Sequence, residues 1–247
     1  MAGISPAMTG KMDFSGKHVV VTGGTGALGT AVMGALLDAG ARCTISFVHL
    51  SEAQRFAHRE HAGVRLVAVS DLADEAAVAK LYDGITASGG PWASIHIAGG
   101  FAMSKIAETD KTALMAQLNG NLVSCFLCCR AAVKAMRANG QGGRIVNVAA
   151  RPALEPRSGA GMTAYTVAKT GVAALTAALA EEVARDGILV NAVAPSIMDT
   201  PANRAAMPKA DHDSWPKVED VAATILFLAS PENKVTRGAV VPVYGKA

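Results

Sequence analysis

Tyr165 and Lys169 stand four residues apart in Tyr165-Thr166-Val167-Ala168-Lys169. On a helix, that spacing puts both side chains on one face, one turn apart. A free phenol has a pKa of about 10 and stays protonated at neutral pH. An ammonium beside it stabilises the phenolate, lowers that value and lets the tyrosine exchange a proton near pH 7. Taken alone, the pair reads as ordinary surface on an amphipathic helix. Its chemical reading depends on what the rest of the chain brings to it.

The first such feature is Thr22-Gly23-Gly24-Thr25-Gly26-Ala27-Leu28-Gly29, which follows an apolar run and leads into a helical pattern. Glycines allow a tight turn and let backbone N–H groups approach a pyrophosphate, and the helix N-terminus adds partial positive charge. A merely tight turn would not need four glycines in seven residues. The backbone of Gly23, Thr25, Gly26, Ala27, Leu28 and Gly29 is therefore expected to hold a dinucleotide. An acid ending the second strand would select NAD through the ribose hydroxyls. Ser46-Phe47-Val48-His49 has none, and His49 and Arg55 are the nearest basic groups. NADP(H) is favoured over NAD(H).

These residues need a scaffold, and the pattern supplies one. Short apolar runs predict strands at 18–22, 43–48, 65–69, 94–98, 144–149, 189–194 and 240–243. Helical periodicity predicts helices at 27–39, 74–86, 109–138, 163–185 and 218–229. A capped helix start is expected at Ser51 with Gln54, and an irregular stretch at 195–216. Strands apolar on both faces and separated by helices imply an α/β fold. The expected architecture is a single-domain Rossmann-like doubly wound parallel sheet of about seven strands, helices on both faces. Residues 1–12 read as a flexible tail and 13–247 as one domain.

Composition narrows the function classes. Of 247 residues 51% are hydrophobic and 17% charged, which excludes intrinsic disorder. Twenty-three basic and 20 acidic residues give a net charge of +3 without a basic run, so no nucleic-acid partner is expected. No signal segment and no 18-residue apolar run is read, so no membrane partner is expected and the location is read as cytoplasmic. Cys125 and Cys128 have the spacing of a metal or redox pair. Without a second Cys or His pair, these two and Cys129 read better as small core residues. His58, His61 and His212 lack metal-ligand spacing and read as surface; no metal site is expected.

Together, TGGTGALG, Tyr165-x-x-x-Lys169, Asn121 in Asn-Gly-Asn-Leu and Val190-Asn191-Ala-Val-Ala-Pro195 resemble the short-chain dehydrogenase/reductase family from about Asp13 onward. The resemblance implies Tyr165 as general acid/base, Lys169 holding the nicotinamide ribose and tuning the tyrosine, and Asn121 anchoring a water in a proton relay. It places Asp71 with Leu72 at the adenine, Ala98, Gly99 and Gly100 along the cofactor, and Pro195, Met198 and Thr200 near the nicotinamide. It also implies a homodimer or homotetramer through the helices at 109–138 and 163–185.

Two departures stand out. His96 occupies an asparagine position after the fourth strand, and Ala150 falls where the family has its catalytic serine. Ala98-Gly99-Gly100-Phe101, Ala150, Gly161-Met162 and the stretch 199–211 resemble a subgroup, the quinoid dihydropteridine reductases, although the acid that subgroup carries after strand two is missing. Phe101, Ala150, Arg151 and Met162 are the expected substrate contacts, with Met103 and Trp215 as further apolar wall. Arg151 could instead brace its loop through Glu155. His96, Arg151, Ser158 and Thr163 are candidate donors in place of the serine. The expected activity is NAD(P)-dependent hydride transfer to a small electron-poor carbonyl, quinonoid or imine-type substrate. The alternative is a cofactor-occupied sensor with little catalysis.

Overall fold

The computed structural model describes residues 12–246. The expected tail therefore lies outside the described residues apart from Met12, which packs against the core. Seven strands form one sheet: β1 (His18–Thr22), β2 (Arg42–Phe47), β3 (Val64–Ala68), β4 (Ala93–His96), β5 (Gly143–Val148), β6 (Ile188–Pro195) and β7 (Val240–Val243). Their order is β3-β2-β1-β4-β5-β6-β7, and every neighbouring pair is parallel. The order reverses between β1 and β4, which puts a ligand crevice at the carboxyl ends of those two strands.

The pleat explains why the strands are apolar on both faces. Val19 and Val21 enter one core cluster and Val20 the other. The first cluster is closed by α1 (Ala27–Asp38) and α9 (Val218–Ala229). The second is closed by α3 (Glu75–Thr86), α5 (Ser124–Asn139) and α7 (Thr163–Glu182). Cys125, Cys128 and Cys129 are buried and free, as expected of small core residues.

Four features differ from the sequence reading. The helix after β2, α2 (Leu50–Arg55), starts at His49 rather than Ser51, and Glu52 accepts the His49 N–H at 3.4 Å. The long helix is α4 (Lys111–Gln117), a π-turn at Leu118–Val123, and then α5. Short helix α6 (Arg151–Leu154) forms where no element is expected, and α8 (Pro201–Ala206) lies in the stretch expected to be irregular. Finally, Lys111–Asn139 runs 29 residues and is apolar enough, by composition, to cross a bilayer. Here that apolarity has another use: Cys128, Ala132 and Met136 on α5 bury against the sheet.

Candidate active site

The phosphate loop forms at the switch point. Ile97 and Ala98 N–H donate to the Thr22 carbonyl at 3.0 and 3.1 Å, tying the chain beyond β4 to the end of β1. Gly23 has φ +71°, and a Cβ there would come within 2.6 Å of the Ala98 nitrogen. A Cβ at Gly29 would collide with the Gly23 carbonyl oxygen. Gly26 caps α1 without a side-chain bond, no acid lies in the first turn, and the ladder begins with Thr30 N–H to Gly26 O at 2.8 Å. Among the described residues the N–H groups of Ala27, Leu28 and Gly29 have no hydrogen-bond acceptor outside the helix, which leaves them free for a pyrophosphate. Thr25 lies half-exposed in the same turn.

The residues expected to transfer the proton meet beside it. The Lys169 Nζ, 5% exposed, donates to the Val148 carbonyl at 2.8 Å. It lies 5.9 Å from the centre of the Tyr165 ring. Asn121, buried on the π-turn, donates to the carbonyls of Gly100 at 2.9 Å and Gln117 at 3.0 Å, and accepts the Gly100 N–H at 3.3 Å. Gly99 lies between the two: a Cβ on it would be 2.6 Å from Asn121 Oδ1 and 3.4 Å from Lys169 Nζ. The extra residue of a π-turn rotates the following helix by most of a third of a turn and aims Asn121 inward. Nothing in the periodicity marks it.

The electrostatics differ from the sequence reading. Burial pushes the Tyr165 phenol up to about 12 and pulls the Lys169 ammonium down to about 8, the latter partly offset by Cys125. Desolvation disfavours the charged form of each group, and the ammonium does not lower the phenol here. Tyr165 is thus a neutral phenol at pH 7.

Phe101, 59% exposed, meets Tyr165 edge to face with ring centres 5.0 Å apart. Met162 precedes α7 and pairs by a bridge with Ser104. Ala150 is buried at the start of α6. Arg151 donates from Nε to Glu155 at 2.8 Å and lies 4.9 Å over the Tyr244 ring, so the brace is the arrangement observed. Thr200 caps α8 through the Asn203 N–H at 3.2 Å, and the Met198 carbonyl takes Asn203 Nδ2 at 2.8 Å. Pro195 ends β6, buried. Asp71 is exposed and turns the chain by accepting the Ala73 N–H at 2.8 Å, whereas the Leu72 side chain belongs to the core. His49 is exposed, and Arg55 donates to the Ser51 carbonyl at 3.1 Å.

His96 is not a replacement donor. It is 3% exposed; Nδ1 meets Asn147 Oδ1 at 2.8 Å and Nε2 meets Ser94 Oγ at 2.8 Å. Tyr82 joins through Ser94 at 2.6 Å, and Asn147 continues to Thr176 at 3.0 Å. The Ser158 hydroxyl is held by the Glu155 carbonyl at 2.8 Å. Thr163 is exposed at the start of α7. Trp215 is buried with His212 4.6 Å away, so that histidine is packed rather than free.

The geometry agrees with what the chain is similar to. Residues 17–211 match the family model described as short chain dehydrogenase. A 2,3-dihydroxy-2,3-dihydro-p-cumate dehydrogenase of Pseudomonas putida is 31% identical, over 95% of this chain and 95% of that one. A galactitol 2-dehydrogenase of Rhizobium johnstonii is 33% identical, over 94% and 95%. The solved structure of ElxO with NADP bound superposes with a TM-score of 0.83 at 26% identity, over 93% of this chain and 97% of that one. A phosphate loop at the switch point, an open Tyr165–Lys169 pair and these likenesses lead to one conclusion: the chain is an oxidoreductase of the short-chain dehydrogenase family.

Proposed function

We propose that the protein is an NADP(H)-dependent reductase of a small electron-poor carbonyl, quinonoid or imine-type compound, with Tyr165 as the proton donor. The observation that carries this reading is the neutral, half-buried Tyr165 beside the buried Lys169, in a site where Ala150 offers no hydroxyl. A bound nicotinamide cofactor supplies the hydride. The turn 23–29 and the start of α1 hold its pyrophosphate, and Lys169 holds the nicotinamide ribose. Tyr165 then delivers its proton to the atom that gathers negative charge.

A plain ketone concentrates that charge on one oxygen, where a missing donor costs about 10²–10³ in rate. A quinonoid or imine-type acceptor spreads it through its own π-system and suits a site with Ala150. Exposed Phe101, Met103 and Ile106 offer a flat ring an apolar surface. The dihydropteridine-type substrate belongs to this class and is the first to try. Support for NADP comes from the acid-free end of β2 and from the NADP-holding neighbour. Glu52, bonded to the His49 N–H, is a carboxylate in the same turn that would oppose it.

The reading extends to a cytoplasmic homodimer or homotetramer. Met115, Phe126 and Val167 on α4, α5 and α7 are exposed apolar side chains in the helices expected at the interface. The test is a panel of quinones, quinonoid dihydropterin, imines, ketones and sugars, followed by loss of NADPH absorbance in wild type and Ala150→Ser. The expected result is turnover of a conjugated acceptor, with no gain from the added hydroxyl. Turnover confined to plain ketones, raised by Ala150→Ser, would overturn the substrate class.

A further inference from the structure

The end of the sheet opposite the site gathers basic side chains. Lys17 and His18 open β1, Arg42 opens β2, and Trp92 precedes β4; with Gln141 and Gly142 they border a polar cleft of about 230 Å³. No carboxylate lines it. At roughly 30 Å³ per water, it has room for a phosphate-sized anion with its remaining hydration. Among the described residues neither Lys17 nor Arg42 is in an ion pair. Asp13, the acid whose titration Lys17 influences, is bonded to the Ser15 N–H at 2.8 Å.

Two nitrogen atoms at this end of the sheet lack hydrogen-bond partners. Arg144, 8% exposed, lies 4.9 Å over Trp92 while Lys17 Nζ lies 4.1 Å over the same ring. Its guanidinium bonds the Gly143 and Asn233 carbonyls, its Nε has no partner, and among the described residues it is in no ion pair; it reaches the cleft only through the Trp92 ring. His18 bonds Thr44 through Nε2 at 2.9 Å and leaves a buried Nδ1 unpartnered. Burial lowers its basicity first, and Arg42 and Arg65 lower it further. Like charges gathered this closely are costly unless an anion joins them.

We propose that this cleft binds a small multivalent oxyanion of the phosphate or pyrophosphate class, held by Lys17 and Arg42 against the Trp92 edge. The site is separate from the dinucleotide crevice, since it lies at the amino ends of β1, β2 and β4.

Inorganic pyrophosphate titrated calorimetrically into NADPH-saturated protein tests this, because the cofactor keeps the probe off the phosphate loop. The expected result is one-site binding, weakened about tenfold in Arg42→Ser and again in Lys17→Gln, as loss of a charge-assisted contact implies. Both side chains are outside the core, so the variants keep the fold. Absence of binding would overturn the proposal. So would binding that NADPH abolishes and Arg42→Ser leaves intact, or a response that sodium chloride of equal ionic strength reproduces, an adventitious ion only.

Discussion

Two groups of polar side chains meet the strands β4 and β5 close to each other, and they are treated in opposite ways. Tyr82, Ser94, His96, Asn147 and Thr176 form a buried chain in which both ring nitrogens of His96 have partners. Tyr165 and Lys169, held against Val148 one residue beyond Asn147, have between them a single bond to a carbonyl. Buried polar groups are normally satisfied, and a satisfied network fixes structure. A buried acid and amine left open, with both titrations displaced by burial, are available to a ligand. On these two strands the satisfied network ties β4 to β5, while the phenol of Tyr165 is left free for a ligand.

The sharpest way to break that contrast is Tyr165→Phe. Removing the phenolic proton should cut turnover by about 10²–10⁴ and leave the melting temperature unchanged; a stability loss with retained turnover would place Tyr165 in the scaffold. Lys169→Met comes next. An ammonium whose pKa falls from 10.5 to about 8 on folding destabilises the fold in full below pH 8, and the penalty fades as pH rises towards 10.5. At 1.36 kcal/mol per pH unit the variant should gain up to about 3 kcal/mol at pH 7 and almost nothing near pH 10.5, read from denaturant melts at the two values. Turnover by the wild type should fall as pH climbs through about 8, where Lys169 loses its charge.

His96→Ala examines the other group. It leaves the Asn147 amide oxygen with only the Cys129 thiol at 3.4 Å, while Ser94 keeps Tyr82, and should cost about 1–3 kcal/mol of stability while NADPH affinity stays as it was. A collapse of affinity with an intact fold would move His96 into the site. The smallest effect is expected at Glu52→Gln. An exposed carboxylate contributes about 0.2–1 kcal/mol, so the NADPH-to-NADH affinity ratio should rise about two- to fivefold.

The residues that declare themselves by local pattern were legible in the sequence. The 23–29 turn is read from glycines between strand and helix, the Tyr165–Lys169 pair from helical spacing, and all seven strands from apolar runs. What escaped has causes that act across the chain. The π-turn that aims Asn121 inward keeps helical composition throughout. The shifts at Tyr165 and Lys169 follow from burial, which depends on how α7 lies on β5. His96 pairs with a residue 51 positions away, so spacing could not distinguish a network member from a donor. The basic edge is assembled from strand starts scattered between Lys17 and Arg144, none of which forms a run.

The central claim is that the open groups serve a nicotinamide cofactor and a proton transfer. Calorimetric titration of NADPH and NADH into cofactor-free wild type and Tyr165→Phe tests it most directly. The account predicts one NADPH per chain, bound alike by both proteins and more tightly than NADH. Binding of neither cofactor, or loss of binding in Tyr165→Phe, would contradict it.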